Sequence, residues 1–265
     1  MSKISVNGVY LNVEIEGIER GPWITFSHSH ATNLSLWDEQ VAHFRRDFRI
    51  LRYDTRGHGK SDAVKGACTV ETLVSDVIGL WDVLGIMKSH FIGLSLGGTT
   101  GIGLAIHHPN RISKLAACNC HGVASPEFSA AWNPRIEVAL LRGMRALVDP
   151  TLERWFSLEF RQSNAALVAE VARMIRSTSI EGYVGCARAL QGIAYQEHLE
   201  SIRTPTLFIA GAQDKAAQPA GIRLMQQCLP GARYVEVDPA GHLSNLENPR
   251  RFNEAVGAFL TVPID

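Results

Sequence analysis

Short apolar runs and helical periodicities alternate along most of the chain. Lys3–Val6 and Tyr10–Ile15 alternate apolar and polar positions around Asn7-Gly8, a pattern that predicts a β-hairpin. Trp23–His28 and Phe48–Tyr53 read as further strands, with a short helix over Asp38–Phe44 between them. Val70, Leu73, Val74, Val77, Leu80, Trp81 and Leu84 recur at three- and four-residue steps, which places them on one face of a helix ending at Gly85. A strand over Phe91–Leu94, a small-residue helix from Ser95 to His107 and a strand over Lys114–Cys118 follow. Such alternation implies crossover connections and a parallel sheet covered on both faces.

The pattern changes at Ala124, after which no strand is predicted until Thr206. Ile136, Leu140, Met144 and Leu147 predict one helix; Leu167, Val168, Val171 and Ile175 predict another. Strands return at Thr206–Ala210 and Arg233–Val237, with helices near Gly221–Cys228 and Arg250–Leu260. Residues 1–123 and 200–265 therefore read as an α/β core, and 124–199 as an inserted helical cap. An insertion at the carboxyl edge of such a sheet would cover the crevice where ligands bind.

Lys plus Arg and Asp plus Glu are 26 each, so no polyanion footprint exists and nucleic acid is not an expected partner. No apolar run reaches membrane-spanning length, so no membrane partner is expected either. The five cysteines, Cys68, Cys118, Cys120, Cys186 and Cys228, include no Cys-x-x-Cys pair. Reduced thiols and a cytoplasmic protein are expected. Oligomeric state has no sequence signal.

Gly93-Leu94-Ser95-Leu96-Gly97 follows a strand and opens a helix, the setting of a nucleophile elbow. Its turn is so sharp that side chains two positions either side of Ser95 would collide. The serine needs a base, and His242 lies in a loop just after the strand Arg233–Val237. The base needs an orienting carboxylate, and Asp214 follows the strand Thr206–Ala210. The rival acid, Asp238, adjoins Pro239 and suits a turn. The order Ser95, Asp214, His242 is the one expected of an elbow hydrolase. A tetrahedral oxyanion needs two donors, for which the backbone N–H groups of Leu96 and His30 are the candidates.

Asp54-Thr55-Arg56-Gly57-His58-Gly59-Lys60-Ser61 lacks phosphate-loop spacing and reads as a structural buttress. Together with the elbow and Gly241-His242-Leu243-Ser244-Asn245-Leu246-Glu247, it resembles the α/β-hydrolases over the whole chain. Within them the chain is most similar to the 3-oxoadipate enol-lactonases, through Leu51-Arg52-Tyr53-Asp54-Thr55-Arg56, Arg154-Trp155-Phe156, Glu181-Gly182-Tyr183 and His242-Leu243-Ser244-Asn245. The resemblance implies a carboxylic ester or lactone hydrolase with no metal and no cofactor, using the Ser95, Asp214, His242 triad. Where that branch usually has Asn-Ser-Leu-Gly, this chain has His28-Ser29-His30-Ala31. His28 and His121 are accordingly expected as polar pocket walls. In the cap, Arg135 and Arg142 are seven apart and would share a helical stripe able to grip a substrate carboxylate, unless they are simply solvated. Trp132 and Trp155 are candidates for the substrate wall, or for cap core. The alternative activities are hydrolysis of a carbon–carbon bond in a dienone acid, or ligand reception without turnover on the same fold.

Overall fold

The computed structural model describes residues 2–66 and 68–261. Eight strands form one sheet: β1 (Ser2–Val6), β2 (Val9–Gly17), β3 (Trp23–Ser27), β4 (Arg49–Tyr53), β5 (Ser89–Leu94), β6 (Ile112–Cys118), β7 (Thr206–Gly211) and β8 (Arg233–Val237). Their spatial order is β1-β2-β4-β3-β5-β6-β7-β8. The hairpin β1–β2 pairs antiparallel to β4, and the pairings from β4 through β3 to β8 are parallel. Asn7 and Gly8 both take positive φ, 46° and 76°, the backbone a two-residue hairpin turn requires.

Successive strand residues point to opposite faces. Every residue of β7 is buried, as are nearly all of β3 to β6, so both faces of the parallel section are covered. The cover includes α1 (Asp38–Phe44), α2 (Val70–Val83) and α3 (Leu96–His107). Late in the chain α10 (Pro219–Cys228) connects β7 to β8, and α11 (Ser244–Glu247) and α12 (Pro249–Leu260) follow β8. Thr69 caps α2 reciprocally with Thr72, and Gly85 at φ +68° ends it.

Between β6 and β7 lie α4 (Pro126–Ala130), α5 (Asn133–Arg142), α6 (Val148–Trp155), α7 (Leu158–Ser163), α8 (Ala165–Ser177) and α9 (Ile180–Gln191). The two ends of this helical segment are stitched together. The Ala124 N–H donates to the Ile193 carbonyl at 2.9 Å, and the Tyr195 N–H to that of Gly122 at 2.9 Å. One expectation fails here. Ile136, Leu140, Met144 and Leu147 do not share a helix: α5 stops at Gly143, which takes φ +74°, and a 3-10 turn over Met144–Leu147 leads into α6. Leu140 consequently faces solvent, 58 % exposed, while Met144 and Leu147 are buried. Glycine relieves the backbone strain of that turn, and the apolar periodicity runs through it unchanged.

Candidate active site

β5 delivers Leu94 at its carboxyl end, and the chain turns directly into α3. Ser95 at the corner takes φ 56° and ψ −111°, a conformation a non-glycine residue adopts only when its surroundings dictate it. A Cβ on Gly93 would strike the Gly97 carbonyl oxygen, and one on Gly97 the Ser27 carbonyl oxygen. The two glycines thus permit the close approach that holds the corner. Leu96 is the first residue of α3, so its N–H has no acceptor within the helix and points out of the helix start.

Asp214 sits in the loop after β7 and is buried. Its Oδ1 accepts the backbone N–H groups of Ala216 at 2.7 Å and Ala217 at 2.9 Å. Its Oδ2 accepts the Asn119 amide at 2.8 Å and the His242 Nδ1–H at 2.8 Å. Burial alone would raise the carboxyl pKa, but the charge and hydrogen bond of His242, with Asn119 and the Ala217 N–H, hold it below the ordinary value. A carboxylate accepts only, so Nδ1 of His242 carries the hydrogen and Nε2 is left as the basic nitrogen. Asp238, the rival acid, is exposed and precedes a cis proline.

Ser95 and His242 line the same cavity of about 200 Å³, together with His30, His121, Trp132, Arg135 and Trp155. His30 donates from Nε2 to the Tyr183 carbonyl of α9 at 2.9 Å, and its ring lies 5.2 Å from that of Trp132. Burial, then the neighbouring His58, pushes its pKa well down, so the ring is neutral. His121 donates from Nε2 to the Ala216 carbonyl at 3.0 Å. Trp155 closes the roof: its carbonyl accepts the His242 backbone N–H at 2.7 Å, and its ring lies 5.7 Å from the His242 ring.

Two sequence candidates lie elsewhere. His28 does not reach the cavity. Its Nε2 accepts the Thr55 N–H of the loop after β4 at 2.9 Å and its Nδ1 donates to the Ser29 carbonyl of its own loop at 2.7 Å, so both nitrogens are spent on backbone. That loop is further held by buried Asp54, which accepts the N–H groups of Leu34 at 2.8 Å and Lys60 at 2.9 Å and the Asn12 amide at 2.8 Å. Arg142 is exposed at the end of α5 and is not among the cavity's residues.

Arg154 takes the place expected of Arg142. It lines the cavity beside Arg135, whose guanidinium lies 5.0 Å over the Trp132 ring. Burial, then the charge of Arg135, lowers the Arg154 pKa to about 10, and burial lowers that of Arg135. Among the described residues neither guanidinium is ion-paired. The sequence signal for Arg154 was its place in Arg154-Trp155-Phe156; seven-residue spacing along α5 pointed to Arg142 instead, which is on that helix but faces solvent. Asn119 also escaped sequence reading. It follows β6 at φ 48°, donates to Asp214 and accepts the Ser244 hydroxyl at 2.6 Å. Its signal is a polar residue at the carboxyl end of a buried strand.

No three His, Cys, Asp or Glu side chains are grouped for a metal ion among the described residues. No described helix is long and apolar enough to cross a membrane.

An open, mostly parallel sheet, a serine on a strained strand–helix corner, and an acid and a histidine after the following strands define an α/β-hydrolase. A model of the alpha/beta hydrolase fold matches residues 22–249, and the chain belongs to that family. Among its relatives are the two 3-oxoadipate enol-lactonases of Acinetobacter baylyi. Lactonase 1 is 36 % identical over 253 residues, covering 96 % of this chain and 94 % of the relative. Lactonase 2 is 34 % identical over 257 residues, covering 97 % and 95 %. The crystal structure of the enol-lactonase from Burkholderia xenovorans matches with a TM-score of 0.95 at 41 % identity, covering 98 % of this chain and all of that one.

Proposed function

We propose that this chain is a cytoplasmic serine hydrolase that opens a small carboxylate-bearing lactone, of the 3-oxoadipate enol-lactone kind, through an acyl-enzyme on Ser95. The observation that carries the reading is the shared cavity: strained Ser95 and His242, with its Nδ1 committed to Asp214 at 2.8 Å, line one small space. His242 Nε2 takes the Ser95 proton as the oxygen attacks the lactone carbonyl. The backbone N–H groups of His30 and Leu96 receive the oxyanion; such donors contribute roughly 3–4 kcal/mol each to the transition state. The enolate departs more readily than an alkoxide and takes up the proton held on His242, so ring opening leaves His242 neutral again. Water activated by His242 then releases the acid.

The substrate's charge is argued from Arg135 and Arg154. Two neighbouring, partly buried cations without an ion partner repel each other, and a bound carboxylate relieves the repulsion. The names of the related enol-lactonases support the same substrate class. The test is a fluorophosphonate label followed by a lactone panel. Wild type gains one phosphonyl adduct on Ser95 and turns over the enol-lactone, whereas Ser95→Ala does neither. An unchanged intact mass of the wild type rejects the scheme.

A further inference from the structure

A second cavity, of about 580 Å³, adjoins the catalytic one. It runs between the loop after β6, the 3-10 turn Gln196–Ser201 and α10. Leu199, Ile222 and Met225 line it, and so do Val123 and Leu224, which are 39 % and 63 % exposed, with Glu127 and Lys215 as its charged lining residues. Large apolar side chains left open next to one another mark a surface shaped for an apolar ligand. The Met225 side chain packs against Gly122, where a Cβ would come within 2.8 Å of its sulfur.

The two cavities share His121, Phe128, Lys215 and Ala216. The partition is thin. The His121 and Phe128 rings pack at 4.3 Å, and His121 is tied across to the Ala216 carbonyl at 3.0 Å. Size separates their roles. The catalytic cavity, about 200 Å³, is smaller than the roughly 300–1,000 Å³ usual for ligand sites, whereas the groove falls inside that range.

We propose that this groove is an acyl-chain subsite: it takes an unbranched aliphatic chain of an ester or lactone whose carbonyl lies at Ser95, passing beside His121 and Phe128. The inference rests on the serine-hydrolase reading above. The acyl part joins Ser95 in the first half-reaction and leaves it for water in the second, so a chain seated in the groove steadies acylation and deacylation alike. Moving each methylene from water into an apolar groove multiplies kcat/KM up to about fourfold.

The test is a series of 4-nitrophenyl acetate, butanoate, hexanoate and octanoate. In wild type kcat/KM rises with chain length, by about tenfold or more from acetate to octanoate. Leu224→Glu puts a charge at the groove and collapses the octanoate-to-acetate ratio toward one, while Leu224→Met retains it. A ratio that falls with length in wild type, or that Leu224→Glu leaves unchanged, overturns the subsite. The acetate rate alone reports the nucleophile. Should acetate not be cleaved at all, the fluorophosphonate label decides the hydrolase reading, and calorimetric titration of Ser95→Ala with ethyl octanoate and ethyl acetate still reads the groove. Tighter octanoate binding that Leu224→Glu removes sustains it, and equal binding of the two esters refutes it.

Discussion

Replacing Asp214 by asparagine keeps the shape of the side chain and reverses one of its ends. Oδ1 faces the N–H groups of Ala216 and Ala217, so the amide oxygen must stay on that side. The new NH2 then replaces Oδ2 and meets the Asn119 amide, itself a donor, and Nδ1 of His242. His242 relieves its part of the conflict by moving its hydrogen to Nε2 and offering Nδ1 as acceptor. That tautomer has no basic nitrogen left for Ser95. The opposite amide orientation sets NH2 against two backbone donors and is no better. A wrong-tautomer histidine costs about 10⁴-fold in kcat, or about 5 kcal/mol of transition-state stabilisation. The assay is steady-state cleavage of 4-nitrophenyl acetate by Asp214→Asn, with far-UV circular dichroism to show that the fold persists. A folded variant with more than about a tenth of the wild-type kcat refutes the assigned role of Asp214.

Two further outcomes follow from the cavity and its supports. Arg154→Leu removes a charge-assisted contact, which raises KM for a carboxylate-bearing lactone by about 10- to 100-fold and affects its neutral methyl ester far less; equal effects on both would place the carboxylate elsewhere. Burial lowers the pKa of His28 from 6.5 to about 4, so between these values the unfolded chain holds more protons and stability falls as pH falls. His58, pushed to about 3, and His90, to about 4, act in the same direction. Thermal melts should therefore lose Tm from pH 7.5 to pH 5, and His28→Asn should lessen the loss by about 2 kcal/mol at pH 5; an undiminished loss contradicts the assignment.

The parallel sheet was legible because burial on both faces leaves near-continuous apolar runs, as in β7, and because turn chemistry such as Asn7-Gly8 is local. The serine, acid and histidine were legible because each follows a strand, where the sheet gathers its carboxyl ends. The cap was harder to read. Its helices pack by contacts that periodicity does not encode, and Gly143 ends one helix inside an apparently unbroken apolar stripe. Arg142 does share α5 with Arg135 but sits exposed at its end, and the second cavity arginine, Arg154, comes from α6, which spacing along α5 does not report. His28 was misleading for another reason: adjacency to an oxyanion loop says nothing about which way a ring turns, and this one turns into the Thr55 backbone.

The bond from the His242 N–H to the Trp155 carbonyl has a consequence for the lid. On the far side of the cavity, His30 is bonded in the same manner to α9 through the Tyr183 carbonyl. The ceiling is therefore riveted to the base at one point and to His30 at another, and a lid swinging upward would strain the bond that holds the proton acceptor's loop. A seated ceiling and an aligned base thus go together.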